Sequence, residues 1–236
     1  MDGRRLLRPG RPLLAGSART GAGALLACCA VVIAVLGLAF AHQATADPFD
    51  RAVDAPVISW LGSHQGVAAW LAAPGSQVPA VALSAAIVVA CLLAGRLNGA
   101  VLGAAAVPAA GLLNDGLVKP LVHRTYLGSL TYPSGHTAAM FALAAAVAVL
   151  LLVPPQPARA GAVRVLIAGA AWALGAVVAA GVIGLRWHYF TDTVAGAAVG
   201  IGTVCGLAFL LDLPAVRRQL ARASRQVPEA QPNASA

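Results

Sequence analysis

Lys119, Arg124, Ser134, Gly135, His136, Arg186, His188 and Asp192 fall in three short polar stretches, residues 119–124, 132–137 and 186–192, of a chain that is otherwise mostly apolar. In the middle stretch Pro133 suits the first turn of a helix and Ser134 is a good N-cap. Unpaired N–H groups at a helix start, helped by the helix dipole, form an anion site. Gly135 lets an anion approach the backbone closely, and His136 can pass a proton to a leaving oxygen. His188 and Asp192 are four residues apart and share a helix face. A carboxylate beside one imidazole nitrogen sets the tautomer and frees the other nitrogen as nucleophile or base. Lys119 and Arg124 supply permanent positive charge, the lysine as a point and the arginine as a fork. Plainer roles exist for each: helix punctuation for Pro133-Ser134-Gly135, a cap for Asp192, and an ion pair with Asp115 for Lys119. They do not account for Arg124, Arg186 and two histidines together. The three stretches are expected to form one phosphate-handling site.

The elements that must position them are membrane spans. The 236 residues are 59% hydrophobic and 10% charged, with mean hydropathy +0.80, whereas soluble domains carry about 25% charged residues. Apolar runs long enough to cross a bilayer are expected at about 21–41, 78–95, 99–117, 136–153, 163–185 and 191–211. The first exceeds a signal-peptide core, so it is expected to be retained although Ala44-Thr45-Ala46 resembles a cleavage site. The third, rich in Gly and Ala and kinked by Pro108, is expected at the bundle centre. Residues 53–71 should form a short interfacial helix with Trp60 and Trp70 at headgroup level, and Pro154, Pro155 and Pro157 close the fourth span.

This predicts an all-α integral membrane protein with six transmembrane helices in a bundle. A basic arm (1–20) and a basic, disordered tail (212–236) flank one domain at 21–211. The arm, Arg96, Arg159, Arg164 and the tail then share a face carrying 12 of the 16 Lys and Arg residues. The positive-inside rule puts that face, and both termini, in the cytoplasm. The net charge of +8 is thereby explained without nucleic-acid binding. The other face holds only Arg51, Lys119, Arg124 and Arg186, three of them in the polar stretches, and Lys119 is the sole lysine. Cys28, Cys29, Cys91 and Cys205 lie in apolar runs without metal-ligand spacing and read as packing residues. The Ala/Arg bias suggests a bacterial inner membrane.

The three stretches resemble the signature motifs of the type 2 phosphatidic acid phosphatase family, related to acid phosphatases and vanadium haloperoxidases. The family pattern is Lys-x6-Arg-Pro, Pro-Ser-Gly-His and Ser-Arg-x5-His-x3-Asp. The second motif is complete at Pro133, Ser134, Gly135 and His136, the third ends correctly at His188 and Asp192, and the first begins correctly at Lys119. Two departures stand out. Tyr126 and Leu127 occupy the Arg-Pro positions, and Gly181 and Val182 the Ser-Arg positions. Arg124 and Arg186 are expected to take over the missing phosphate contacts.

The resemblance implies that His188 attacks phosphorus to form a phosphohistidine, with Asp192 holding its ring. It implies that His136 protonates the leaving group and then activates water, and that Lys119, Arg124, Ser134, Gly135 and Arg186 hold phosphate oxygens. It calls for no metal or other cofactor. The expected activity is a membrane phosphatase acting on a lipid phosphate or pyrophosphate monoester at the non-cytoplasmic interface. Prenyl pyrophosphate, phosphatidic acid and phosphatidylglycerophosphate are the candidate substrates. A lipid-linked phosphotransferase and a non-catalytic lipid-phosphate binder or translocase would use the same residues.

Overall fold

Backbone in hydrocarbon must satisfy its hydrogen bonds within its own segment, so long apolar runs become helices. The computed structural model describes residues 12–14, 16–153 and 161–226. The long helices are α1 (Ser17–Phe40), α4 (Gln77–Leu93), α5 (Leu97–Leu113), α7 (Gly135–Leu152), α8 (Gly161–Gly184) and α9 (Phe190–Leu211). Shorter ones are α2 (Pro48–Leu61), α3 (Gln65–Ala72), α6 (Lys119–Val122) and α10 (Pro214–Gln226). Among the described residues, five segments are long and apolar enough to cross a membrane, α5 running on to Val122; a sixth arises if α3 and α4, bent by 42°, count as one. The chain is therefore a multi-pass helical membrane protein.

Three expectations change. Residues 53–71 do not form one interfacial helix: α2 and α3 divide them. The short 3-10 turn Ala73–Gly75, which contains Pro74, then separates α3 from α4, since proline cannot donate to the ladder. The centre belongs to α7 and α9, about half buried, more than to α5, about a third buried. Gly196 and Gly200 explain this. Added Cβ atoms there would strike α7 backbone at Ser134 and Ala138, so the two helices cross in near-backbone contact. Leu102, Ala106, Ala142, Ala146, Val204 and Ala208 fill the space between α5, α7 and α9.

The third change concerns the tail, where α10 replaces expected disorder. Pro214 suits its first position, and Val216 and Leu220, four apart, pack on the core. The N–H groups of Leu13 and Leu14 donate to the Asp212 carboxylate at 2.8 and 2.7 Å, so the two ends of the described chain meet. Residues 1–11, 154–160 and 227–236, with most of the basic arm, the proline-rich closure and Arg159, lie outside the described residues. At the opposite end of the bundle lie the end of α1, the α3–α4 break, the α6 turn, the starts of α7 and α9 and the end of α8. The three polar stretches are all there.

Candidate active site

Each polar stretch is locally built and locked to the next. Five residues, Asn114–Val118, form a π-turn between α5 and α6, a device that often marks functional positions. Just after it the Lys119 Nζ lies 2.8 Å from Asp115 Oδ1. The buried Asn114 side chain donates to Asp115 Oδ1 at 3.0 Å and to the Pro133 carbonyl at 3.3 Å, tying the first stretch to the second. Between them, strands β1 (Thr125–Tyr126) and β2 (Ser129–Leu130) form a small antiparallel hairpin. Its turn residues Leu127 and Gly128 both have positive φ, as a two-residue hairpin turn of the I′ kind requires.

The second stretch is docked on two sides. The buried Tyr132 hydroxyl donates to the Ile33 carbonyl on α1 at 2.8 Å, and the peptide to Pro133 is cis. Ser134 caps α7, its Oγ accepting from Thr137 N at 3.5 Å, while its own N–H donates to the Asp192 carbonyl at 2.9 Å. The third stretch begins where α8 ends. The Trp187 N–H bonds the Val182 carbonyl and the Arg186 N–H the Ile183 carbonyl. That is the Schellman pattern, with Arg186 at φ 58° in the left-handed position where glycine is usual. At the start of α9, Asp192 Oδ2 accepts from the Tyr189 N–H at 3.0 Å.

A cavity of about 860 Å³ opens between these elements. Asp115, Lys119, Gly135, His136, Arg186 and His188 are among its lining residues. Apolar residues line it as well: Ala80 and Val81 of α4, Val107, Pro108 and Gly111 of α5, and Ala139 of α7. The Trp187 ring lies against His136, centroids 5.5 Å apart. Gly75 backs the same histidine: a Cβ there would sit 2.9 Å from His136 Cβ. His188 is 9% exposed, and its Nδ1 is 3.9 Å from Asp192 Oδ2. That is about 1 Å beyond a hydrogen bond, a gap typical of a catalytic pair before substrate binds.

Two expected phosphate contacts are not where they were sought. Ser134 is fully buried as the cap and does not line the cavity. Arg124 is 0% exposed. One of its terminal nitrogens donates to Asp192 Oδ1 and Thr191 Oγ1, each at 2.7 Å; the other meets Asp50 Oδ2 at 2.5 Å. The Phe40 and Tyr189 rings lie 4.3 and 4.4 Å from the guanidinium carbon. Buried between two carboxylates and two rings, Arg124 does not line the cavity; it braces the back of the site. Burial works against its charge, but Asp192 and Asp50 outweigh this and raise its pKa. Tyr126, at the family's arginine position, stacks on Tyr189 with centroids 4.5 Å apart and lines the cavity.

Helix α2, which carries none of the expected site residues, also reaches this network. Asp50 accepts from Thr191 N at 2.9 Å and from Thr191 Oγ1 at 2.8 Å, and Asp54 from Phe190 N at 3.1 Å. The Asp54 carboxyl is pushed up to about 7, first by burial and then by Asp50. A signal for both existed: Asp47, Asp50 and Asp54 are three of only eight acidic residues, spaced as one helix face.

The fold is a helical membrane bundle with two histidines and two cations lining one cavity. A family profile described as the PAP2 superfamily matches residues 80–213, more than half the chain, and the protein belongs to that superfamily. Comparison with curated proteins gives no match, and neither does comparison with solved structures. Superfamily membership supports phosphatase activity on phosphate esters.

Proposed function

We propose that the protein hydrolyses a phosphate or pyrophosphate monoester carried on an apolar tail. The observation that carries this reading is the mixed lining of the cavity. Two cations and two histidines share it with small apolar side chains of three long helices. A water-soluble ester would leave the apolar lining unused. A prenyl pyrophosphate, phosphatidic acid or phosphatidylglycerophosphate would engage both kinds of lining.

In the mechanism, Lys119, Arg186 and the Gly135 amide hold the phosphoryl oxygens where charge concentrates in the transition state. The free imidazole nitrogen of His188, the one turned from Asp192, forms the N–P bond as the P–O bond to the leaving group breaks. His136 gives that oxygen its proton. It then takes a proton from water, whose oxygen attacks phosphorus, breaks the N–P bond and releases phosphate. Asp192 stabilises the imidazolium form of His188 throughout. The charge count along the sequence supports a site facing away from the cytoplasm: in the six-span reading Arg51, Lys119, Arg124 and Arg186 fall on its side, against twelve cations on the other. The Ala/Arg bias supports a bacterial inner membrane.

Phosphate release from a lipid panel by the detergent-purified protein, with chelator present, tests the reading. Gly111→Leu sharpens it. Gly111 lines the cavity and a Cβ there would meet nothing within 4 Å, so a larger side chain narrows it from the α5 side. This variant should lose lipid turnover and keep hydrolysis of p-nitrophenyl phosphate. A wild type silent across the panel, or equal losses on both substrates, would count against a lipid tail in this slot.

A further inference from the structure

The start of α9 is held in an unusual way. Free N–H groups at a helix start commonly receive an anionic ligand, but here they face carboxylates of the protein itself. Phe190 N is taken by Asp54 and Thr191 N by Asp50, both from α2. Asp50 also meets Arg124, and Arg124 meets Asp192, whose other oxygen is taken by Tyr189 N. Asp50, Arg124 and Asp192 are each 0% exposed.

Such a triad is a poor way to gain stability. Desolvating the charges offsets most of their attraction, and apolar residues of similar size often do as well or better. What the triad does provide is geometry. A planar fork held at one nitrogen by Asp50, at the other by Thr191, and on its faces by two rings presents a fixed donor to the Asp192 carboxylate. Asp192 in turn is the only carboxylate within 4 Å of His188 among the described residues.

We propose that Asp50, acting through Arg124, is a positioning residue for catalysis, setting the Asp192 carboxylate against His188 from outside the cavity. The helix α2, which carries none of the family's three motifs, is thereby part of the catalytic apparatus. The proposal rests on the reading of His188 as nucleophile. It assigns Arg124 a different task from binding phosphate, and the two tasks have different kinetic signatures. A phosphate ligand lost from the site raises KM and weakens phosphate-analogue inhibition. A positioning residue lost behind Asp192 lowers kcat and leaves ground-state anion binding, which belongs to Lys119 and Arg186, nearly intact.

The test uses the full chain in detergent, with p-nitrophenyl phosphate as substrate, inorganic phosphate as inhibitor and histidine labelled with nitrogen-15. Asp50→Asn should lower kcat by at least about tenfold, the scale seen when supporting partners of a catalytic group are removed. KM and inhibition by inorganic phosphate should shift by less than about threefold. The His188 ring signals should move while those of His42 and His64 stay. Thr191→Val, which removes one hydroxyl and keeps the shape, carries the same test should Asp50→Asn not fold, with a smaller kcat loss and the same spectral sign. A folded variant with wild-type kcat and unmoved His188 signals overturns the proposal. So does a variant with raised KM and unchanged kcat. A wild type without turnover would sink the phosphatase reading alone, since the His188 signals still decide whether Asp50 sets that ring's surroundings.

Discussion

His188 separates two regions that use the same chemistry to opposite ends. On the cavity side, Arg186 is exposed and Lys119 partly so, with Asp115 as the lysine's companion. On the buried side, Arg124 is enclosed by Asp50, Asp192, Thr191 and two aromatic rings. The first region leaves its cations open to the cavity; the second uses its charge to hold α9 and Asp192. Residue type alone therefore does not tell a ligand from a brace. What separates Arg186 from Arg124 is burial, and whether acceptors within the chain engage the terminal guanidinium nitrogens.

The largest expected effect lies on the line between the two regions. His188→Ala should remove phosphate release altogether, and His136→Ala should cost about 10²- to 10⁴-fold in kcat, as expected for loss of a general acid. Both variants should fold, which near-wild-type yields and melting temperatures would check. Appreciable turnover in a folded His188→Ala variant would end the covalent mechanism.

The next effect tests the contrast itself. Arg124→Ala strands Asp50 and Asp192 as buried, unpaired charges and should cost about 3–5 kcal/mol of stability. It should register as a large fall in melting temperature or a loss of folded protein. Arg186→Ala should leave the melting temperature nearly unchanged and weaken orthovanadate inhibition about tenfold, the worth of one charged hydrogen bond. If both arginines behaved alike in both measurements, the division between brace and ligand would fail.

Much of this was legible because polar residues stand out on an apolar background. Lys119, His136, Arg186 and His188 could be picked out from their stretches, and they meet at one cavity. The long helices were legible for the same reason. The brace was not, because Arg124 and Asp50 are 74 residues apart and spacing along the chain cannot report such a pairing. The hairpin was missed because its turn, Leu127-Gly128, lacks the Asn-Gly or Asp-Gly signal and sets a leucine at φ 50°. The helix α10 was missed because its stability comes from Val216 and Leu220 packing on the core, against a composition that reads as disordered.

A moderate effect should come from Asp54, at the edge of the buried region. Its carboxyl is near 7 in the fold and 3.8 when free, facing Asp50 on its own helix, Asp192 on α9 and Arg124. The native state thus keeps a proton that the unfolded chain releases. The stability this gives is full below about pH 4 and is lost as pH rises through about 7. Melting temperature should therefore fall across that range in the wild type and fall less in Asp54→Asn, whose amide oxygen can still accept from Phe190 N. A wild-type slope unchanged by the substitution would remove Asp54 as its source.

The smallest effect discriminates most finely, because it separates backbone from side chain at one cavity residue. Arg186 holds a left-handed backbone that costs a residue with a Cβ about 1 kcal/mol or slightly more. Glycine would relieve most of that cost, less what it gains in freedom when unfolded. Arg186→Gly should therefore raise the melting temperature modestly, while Arg186→Ala, which keeps the Cβ, should not. Both lose the guanidinium and should weaken orthovanadate inhibition to the same extent. Opposite stabilities with equal losses of affinity would mean that the arginine is kept at a strained turn for its side chain. The reverse holds at Arg124, where no backbone strain exists and removing the side chain can only destabilise. If Arg186→Gly were no more stable than Arg186→Ala, the strain would be absent and Arg186 would be an ordinary helix-end residue that happens to face the cavity.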